Sequence, residues 1–157
     1  MENQILLTQE GIDVEQRLSP HFTLREMVMS STCLRNNAIN YMDNPPVIIA
    51  RLKTLCEQVL EPLRLRFGPV IISSGYRSQF LNYAVGGAKD SQHRKGEAAD
   101  LYTPSREILS DYFEFIRHEL DFDQLIVEEN RKSHVFWLHV SYTTRRPNRR
   151  QVLNINK

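Results

Sequence analysis

The sequence contains few cysteines and no long apolar run. Its two cysteines, Cys33 and Cys56, are too few for a disulfide framework. Neither belongs to a C-x-x-C pair or lies next to a histidine, so nothing indicates a cysteine metal site. We expect both to be small buried apolar side chains, although a single disulfide between them stays open. No apolar stretch approaches the length of a membrane span, and no repeat or low-complexity segment is present.

The chain also has no large excess of positive or of negative residues. The 20 Lys and Arg residues and 19 Asp and Glu residues give a net charge of +1, so we expect neither nucleic acid nor a membrane as a partner. The start of the chain has no positively charged leader and no apolar run of signal-peptide length, so we expect a protein that is cytoplasmic as synthesised. With 41% hydrophobic and 25% charged residues, the composition is that of a soluble globular protein. The sequence does not determine the oligomeric state, and a monomer is our expectation.

Apolar spacing and turn residues predict helices followed by a small sheet. Helices are predicted over residues 23–29, 44–67 and 79–85 and from residue 103 onward, and strands over 70–72, 98–102, 124–128 and 135–142. The second helix should bend at Pro62 and end at Gly68. The last two strands should pair as an antiparallel hairpin. These elements predict an α+β fold with a small, mostly antiparallel sheet and helices packed on one side.

The chain divides into three predicted parts. Residues 1–20 form an N-terminal arm whose order the sequence does not determine, residues 21–144 form one domain, and residues 145–157 form a basic C-terminal tail. The tail contains an arginine cluster at positions 145, 146, 149 and 150. We interpret this cluster as a solvated segment, and attraction to anionic polymers is the alternative.

Three residues have the chemistry of a metal site. His93 and Asp100 are seven residues apart, and both could reach one metal if the chain turns at Gly96 and continues as a strand. His139 lies in a strongly β-forming segment, where alternate side chains share a face and could point into the same cleft. A lone histidine in a strand is more often structural. Two imidazoles and one carboxylate would leave a fourth position for water, as in catalytic zinc sites.

The pattern S-x-H-x-x-G-x-A-x-D over residues 91–100 resembles the signature of zinc D-alanyl-D-alanine carboxypeptidases and of related endopeptidases that cut peptidoglycan peptides. Further matching motifs follow the same order, at residues 21–27, 74–78, 84–87, 123–128 and 137–141. The resemblance covers nearly the whole chain after residue 20. It implies a hedgehog/D-Ala-D-Ala peptidase-like fold, one Zn²⁺ per chain, and hydrolysis of a bond in peptidoglycan stem peptides.

The resemblance also implies roles for individual residues. It assigns the metal ligands to His93, Asp100 and His139. Several relatives have a glutamate three residues before the last histidine, where this chain has Phe136. We therefore assign the general base to Glu128, which matches the glutamate of the D-Q-L-I-x-E motif. Two alternatives for the base are Glu129 and His134.

Three residues are candidates for substrate binding. Arg77 could stabilise the oxyanion or bind a terminal carboxylate of the substrate, because its planar fork matches a carboxylate in two hydrogen bonds. Ser91 could hydrogen-bond to a ligand or the substrate, or form a local turn. Tyr76 could line the cleft, or only pack.

These assignments support a zinc carboxypeptidase or endopeptidase that acts on stem peptides and reaches the cell wall by release, as a phage or prophage lysin would. The resemblance to hedgehog signalling domains leaves a second hypothesis, a zinc-containing binding module without activity. A metal-free structural domain would require the three ligand matches to arise by chance. The pattern does not determine which bond of the wall is cut, because the shape of the pocket decides that.

Overall fold

The computed structural model of the chain describes residues 6–157. Within these residues the strands are β1 (Arg17–Ser19), β2 (Phe22–Thr23), β3 (Ile72–Ser74), β4 (Ala98–Tyr102), β5 (Gln124–Asn130), β6 (Val135–Ser141) and β7 (Gln151–Asn156). The α-helices in the same part of the chain are α1 (Leu24–Val28), α2 (Ser31–Arg35), α3 (Pro45–Leu55), α4 (Glu61–Phe67), α5 (Gln79–Ala84) and α6 (Arg106–Glu119). A 3-10 turn, Gln92–Lys95, precedes β4.

The predicted helix over residues 44–67 is present but contains a π-helical turn. This turn, Cys56–Leu60, separates α3 from α4. Pro62 lies two residues after this turn, in the first turn of α4. Because proline has no amide hydrogen and its ring crowds the preceding turn, the helix widens before it instead of continuing regularly. The helix ends at Gly68, which has φ +86°, so the predicted end is confirmed.

Five strands form the main sheet, in the order β3-β4-β6-β5-β7. The first three pairings are antiparallel, and β7 pairs with β5 in parallel. The predicted α+β fold with a mostly antiparallel sheet is therefore confirmed. The prediction of a C-terminal tail over residues 145–157 is wrong for residues 151–156, because these residues form the edge strand β7. The sequence did not predict this strand because it has few alternating apolar residues and follows a cluster of arginines.

The N-terminal residues that are described pack against the domain. Val14 and Leu18 are buried, and the Gln9 side chain exchanges hydrogen bonds with the backbone of Met42 at 2.9 and 3.1 Å. Residues 1–5 of the predicted arm lie outside the described part of the chain. Cys33 and Cys56 are free and buried, as predicted. Burial raises the pKa of both thiols, so they behave as apolar side chains.

Side-chain alternation divides the main sheet into two faces. One face contributes to the hydrophobic core with residues from three strands, namely Ala99, Leu101, Leu125, Leu138 and Val140. Residues of α3, α4 and α6 belong to the same core. The opposite face carries polar side chains at its centre, including Asp100, His139 and Glu128. Among residues 6–157, no helix has the length and apolar character needed to cross a bilayer.

Candidate metal centre

The register of the sheet brings two predicted ligands together. Asp100 on β4 is directly opposite His139 on β6. Residues directly opposite each other in an antiparallel pair present their side chains on the same face. The pairing of these two strands therefore brings together two residues that are 39 positions apart in the sequence.

The third predicted ligand, His93, lies in the 3-10 turn before β4. The Ser91 hydroxyl accepts a hydrogen bond from the His93 amide at 3.2 Å and caps this turn. The turn ends at Gly96, which has φ +74°, and a Cβ there would lie 3.0 Å from the carbonyl oxygen of Ile48. The motif therefore needs glycine at this position for both conformation and space. The chain turns here and enters β4, as predicted.

The three side chains converge on one point. His93 Nε2 is 3.2 Å and His139 Nδ1 is 3.0 Å from the same oxygen, Asp100 Oδ1. All three residues are buried, and one ligand atom from each lies within 4.8 Å of the others. Ligand atoms at about 2.0–2.1 Å from a tetrahedral metal are about 3.3 Å from one another. The separations within this cluster therefore fit a single metal ion.

The hydrogen bond of His93 gives a second test of this fit. His93 Nδ1 lies 2.7 Å from the carbonyl oxygen of Gly75. Because a carbonyl only accepts, the hydrogen of the neutral ring is on Nδ1, and the unprotonated Nε2 faces Asp100 Oδ1. Two acceptors at 3.2 Å favour a cation between them. A ligand histidine that donates its other ring N–H to a carbonyl is the usual arrangement in metal sites.

Gly75 holds its carbonyl in place through a close contact. A Cβ on Gly75 would overlap the carbonyl oxygen of Met27, so the S-G-Y-R motif requires glycine here. The next residue, Tyr76, donates from its amide to the same oxygen at 2.7 Å and from its hydroxyl to the Tyr41 carbonyl at 2.7 Å. Tyr76 is only 2% exposed. Of the two roles predicted for Tyr76, lining the cleft is therefore wrong and packing is confirmed, because its ring lies in the core.

Arg77 holds the free oxygen of the ligand carboxylate. Its Nη2 donates to Asp100 Oδ2 at 3.1 Å, and its Nε donates to Ser74 Oγ at 3.0 Å. Burial alone would raise the pKa of Asp100, but without a metal the positive charge of protonated His93 and His139 rings, and their hydrogen bonds, hold that pKa well below its usual range. The neutral His93 ring described above is the form that binds a metal. The carboxylate therefore stays ionised, with Oδ1 directed toward the histidines.

A cavity of about 790 Å³ opens on this face of the sheet. It contains the three predicted ligands together with Arg77 and Ser91. Ser91 forms the local turn that was one of its two predicted roles, since its hydroxyl caps the 3-10 turn. Its hydrogen bond to the substrate stays a prediction. Its volume lies within the range of about 300–1,000 Å³ that is common for ligand sites.

Glu128, the predicted general base, lies on the wall of the same cavity. It is two residues along β5 from Ile126, the partner of His139, so Glu128 and His139 share a face. Glu128 Oε2 accepts a hydrogen bond from Trp137 Nε1 at 2.7 Å, and Oε1 is 3.2 Å from Lys157 Nζ. The carboxylate is thus fixed at both oxygens.

The two alternative bases lie elsewhere. Glu129 is on the opposite face of β5 and pairs with Arg106 at 2.7 Å. His134 lies in the exposed turn between β5 and β6, with φ +57°. Phe136 is an odd number of residues from His139 and packs against the core. A glutamate at position 136 of this strand would therefore point away from the predicted metal ligands.

Sequence reasoning missed an arginine-lined wall of the cavity. Arg145, Arg146 and Arg149, which belong to the cluster interpreted as solvated, line this wall while staying partly exposed. Arg145 pairs with Glu97, whose two oxygens accept its Nε and Nη2 at 2.9 and 2.8 Å. Arg146 and Arg149 both pair with the fully buried Asp123. Asp123 begins the D-Q-L-I-x-E motif, but nothing in the pattern indicates which cations reach it.

Lowering the pH should destabilise the protein through these carboxyls. Burial would raise the pKa of both Asp123 and Glu97, but hydrogen bonds from the arginines lower both below their usual values. Their contribution to stability is therefore complete above the unfolded values of about 3.9 and 4.3, and is lost as the pH falls toward the folded values. We expect the free energy of unfolding to fall by on the order of 1 kcal/mol or more between about pH 6 and pH 3.

Urea denaturation as a function of pH measures this effect. Asp123→Asn should have a weaker pH dependence than the parent protein. Asp121→Asn is the matched control, because the Asp121 side chain is 55% exposed and its substitution should leave the dependence unchanged. An equally steep dependence in Asp123→Asn would show that this carboxyl does not contribute.

A protein-family model described as Peptidase M15 matches residues 20–136, about three quarters of the chain. The matched region includes His93, Asp100 and Glu128 and ends three residues before His139. The pairing of β4 with β6 adds His139 to the cluster on structural grounds alone. No match to a curated protein was found for this chain.

Proposed function

Because the chain belongs to the Peptidase M15 family of metal-dependent peptidases, we propose that it hydrolyses peptide bonds in peptidoglycan stem peptides with one Zn²⁺ per chain. The observation that most directly supports this proposal is the meeting of two imidazoles and one carboxylate in a cavity that also contains Glu128. A D-alanyl-D-alanine carboxypeptidase or a related endopeptidase is the proposed activity.

The donor set supports zinc among the biological divalent cations. Magnesium and calcium prefer oxygen ligands, whereas two imidazoles and a carboxylate suit zinc. His93, Asp100 and His139 would be the three ligands, with the fourth position open toward the cavity. When bound there, zinc would lower the pKa of a water ligand to about 7 and polarise the carbonyl of the scissile bond.

The residues around this position would move protons and hold the substrate. Glu128 would take a proton from the attacking water and pass it to the leaving amine. Its bonds to Trp137 and Lys157 leave lone pairs on both oxygens, because each carboxylate oxygen accepts more than one hydrogen bond. Arg77 keeps Asp100 oriented, and its unused donors on the cavity wall would polarise the substrate carbonyl.

Peptidoglycan stem peptide is the proposed partner, with neither nucleic acid nor membrane required. The three ligands and the base come from one chain, so we propose that the active unit is a monomer. The chain would act on the wall after release from the cell that makes it.

Incubation with a synthetic stem pentapeptide, followed by mass spectrometry, tests the proposed function. Loss of one D-alanine would identify a carboxypeptidase, and cleavage of a cross-linked peptide would identify an endopeptidase. A chelator should abolish the reaction, and added zinc should restore it. Zinc binding without any cleavage would instead support a binding module. The sequence argument for that module is weakened because Phe136 packs on the core face of the sheet.

A further inference from the structure

Two arginines that the proposed chemistry does not use, Arg146 and Arg149, lie on the wall of the metal cavity. Both hold the carboxylate of Asp123 in a two-point contact. Arg146 donates from Nη1 and Nη2 at 2.7 and 3.1 Å, and Arg149 donates from Nε and Nη2 at 3.1 and 2.8 Å. Because Asp123 is 0% exposed, its buried carboxylate fixes the positions of the two guanidinium groups.

Apart from the proposed metal ion, the charged side chains around the cavity balance except at this pair. Three cationic side chains of the wall each have one carboxylate partner, namely Arg77 with Asp100, Lys157 with Glu128 and Arg145 with Glu97. Lys95 and Asp90, which have opposite charges, also line the cavity. At Asp123, two guanidinium groups share one carboxylate. A single positive charge is therefore left over at a fixed position.

Arg146 and Arg149 each have N–H donors that are not used on Asp123 and could bind a ligand. An arginine has five N–H donors, and each guanidinium uses two on Asp123. Among residues 6–157, neither side chain has another acceptor. The side chains of Arg146 and Arg149 are 37% and 46% exposed, so their unused donors can be reached from the cavity.

The pair lies within a short peptide's length of the predicted metal ligands. The Asp123 amide donates to the carbonyl of Ser141 at 2.8 Å. Ser141 is two residues beyond His139 on the same face of β6, a separation of about 7 Å along the strand. One extended peptide residue spans about 3.5 Å. A group bound by the two arginines would therefore be within about two or three residues of the scissile bond.

We propose that Arg146 and Arg149 bind a free carboxylate of the peptide substrate and so determine its specificity. This inference rests on the proposed peptidase function. Anchored guanidinium forks recognise a carboxylate better than a neutral amide, because both partners are charged and the geometry is planar. The carboxylate comes either from the end of the peptide or from an acidic side chain near the scissile bond.

Arg149→Gln is the variant that tests this proposal. It leaves Asp123 with both hydrogen bonds from Arg146, so the buried carboxylate keeps a charged partner. Arg150→Gln is the matched control. The Arg150 side chain donates to the carbonyls of Leu120 and Arg117, both at 2.8 Å, and is not part of the cavity wall. Circular dichroism establishes that both variants fold, and Arg146→Gln replaces Arg149→Gln if the latter does not.

Three versions of one stem peptide serve as probes. The first has free carboxylates, the second has a C-terminal amide, and the third has its acidic side chain converted to an amide. We expect KM of the free-acid peptide to rise about tenfold or more in Arg149→Gln, with kcat little changed. KM of one amidated peptide should already be high in the parent protein and should not rise further. The peptide that shows this behaviour identifies the source of the carboxylate.

Calorimetric titration of the same peptides into zinc-loaded Glu128→Gln protein separates this inference from the proposed function. If the free-acid peptide binds at least tenfold more tightly than one amidated peptide, and Arg149→Gln removes the difference, the inference holds even if no peptide is cleaved. Equal binding of all three peptides, no binding of the free-acid peptide, or an equal loss in Arg150→Gln would overturn it.

Discussion

Replacing His93 by alanine is expected to remove zinc from the protein and to lower kcat/KM by more than about 100-fold. Loss of a residue that only orients a metal ligand typically weakens metal affinity or activity by about 10–100-fold, and His93 is itself a proposed ligand. Its Nε2 is one of three atoms that converge at Asp100 Oδ1. Elemental analysis of the dialysed protein measures the zinc, and mass spectrometry of the stem-peptide digest measures the activity.

His118→Ala is the matched control for this experiment. His118 is exposed on α6, where it pairs with Glu114 on the same helix, so its loss should change neither zinc content nor activity. Circular dichroism of both variants separates loss of metal from loss of fold. Full zinc content in His93→Ala would remove this residue from the ligand set.

Glu128→Gln should keep its zinc and lose turnover by about 100-fold or more. A positioned general base contributes about 10²–10⁴-fold to rate. Glutamine has nearly the same shape and can still accept the hydrogen bond from Trp137, but it cannot take a proton. The measurement is kcat on the peptide that the parent protein cleaves, with zinc content determined on the same sample.

The neighbouring glutamate provides the control for that substitution. Glu129 lies on the other face of β5, paired with Arg106, so Glu129→Gln should be nearly as active as the parent. Turnover at the parental rate in Glu128→Gln would show that another group accepts the proton. Loss of zinc from Glu128→Gln would instead mean that this carboxylate supports the metal ligands.

The parts of the site that could be predicted from sequence depend on local geometry. Gly96 permits the turn that joins His93 to β4, and only seven residues separate His93 from Asp100. His139 was found because alternation along a strand is regular, and because β5 and β6 are joined by a short turn. In such a hairpin, the position of a residue along its strand determines which face of the sheet its side chain lies on.

The parts that could not be predicted depend on contacts between distant segments. The parallel pairing of β5 with β7 leaves no local signal, since the two strands are separated by β6 and an irregular segment. The arginines before β7 therefore looked solvated, although Asp123 holds two of them. The sequence also left open whether Tyr76 lines the cleft or packs, because the hydrogen bonds of Tyr76 to Met27 and Tyr41, which hold its ring in the core, join segments that are distant in sequence.

The contact between Lys157 and Glu128 has a practical consequence for handling the protein. Any residues added after Lys157 would emerge beside the mouth of the cavity. A hexahistidine purification tag at that end would bring extra imidazoles next to the proposed zinc position, where they could compete for the ion or occupy its open side. Metal stoichiometry and kinetics are therefore best measured on protein tagged at the opposite end, or with the tag cleaved off.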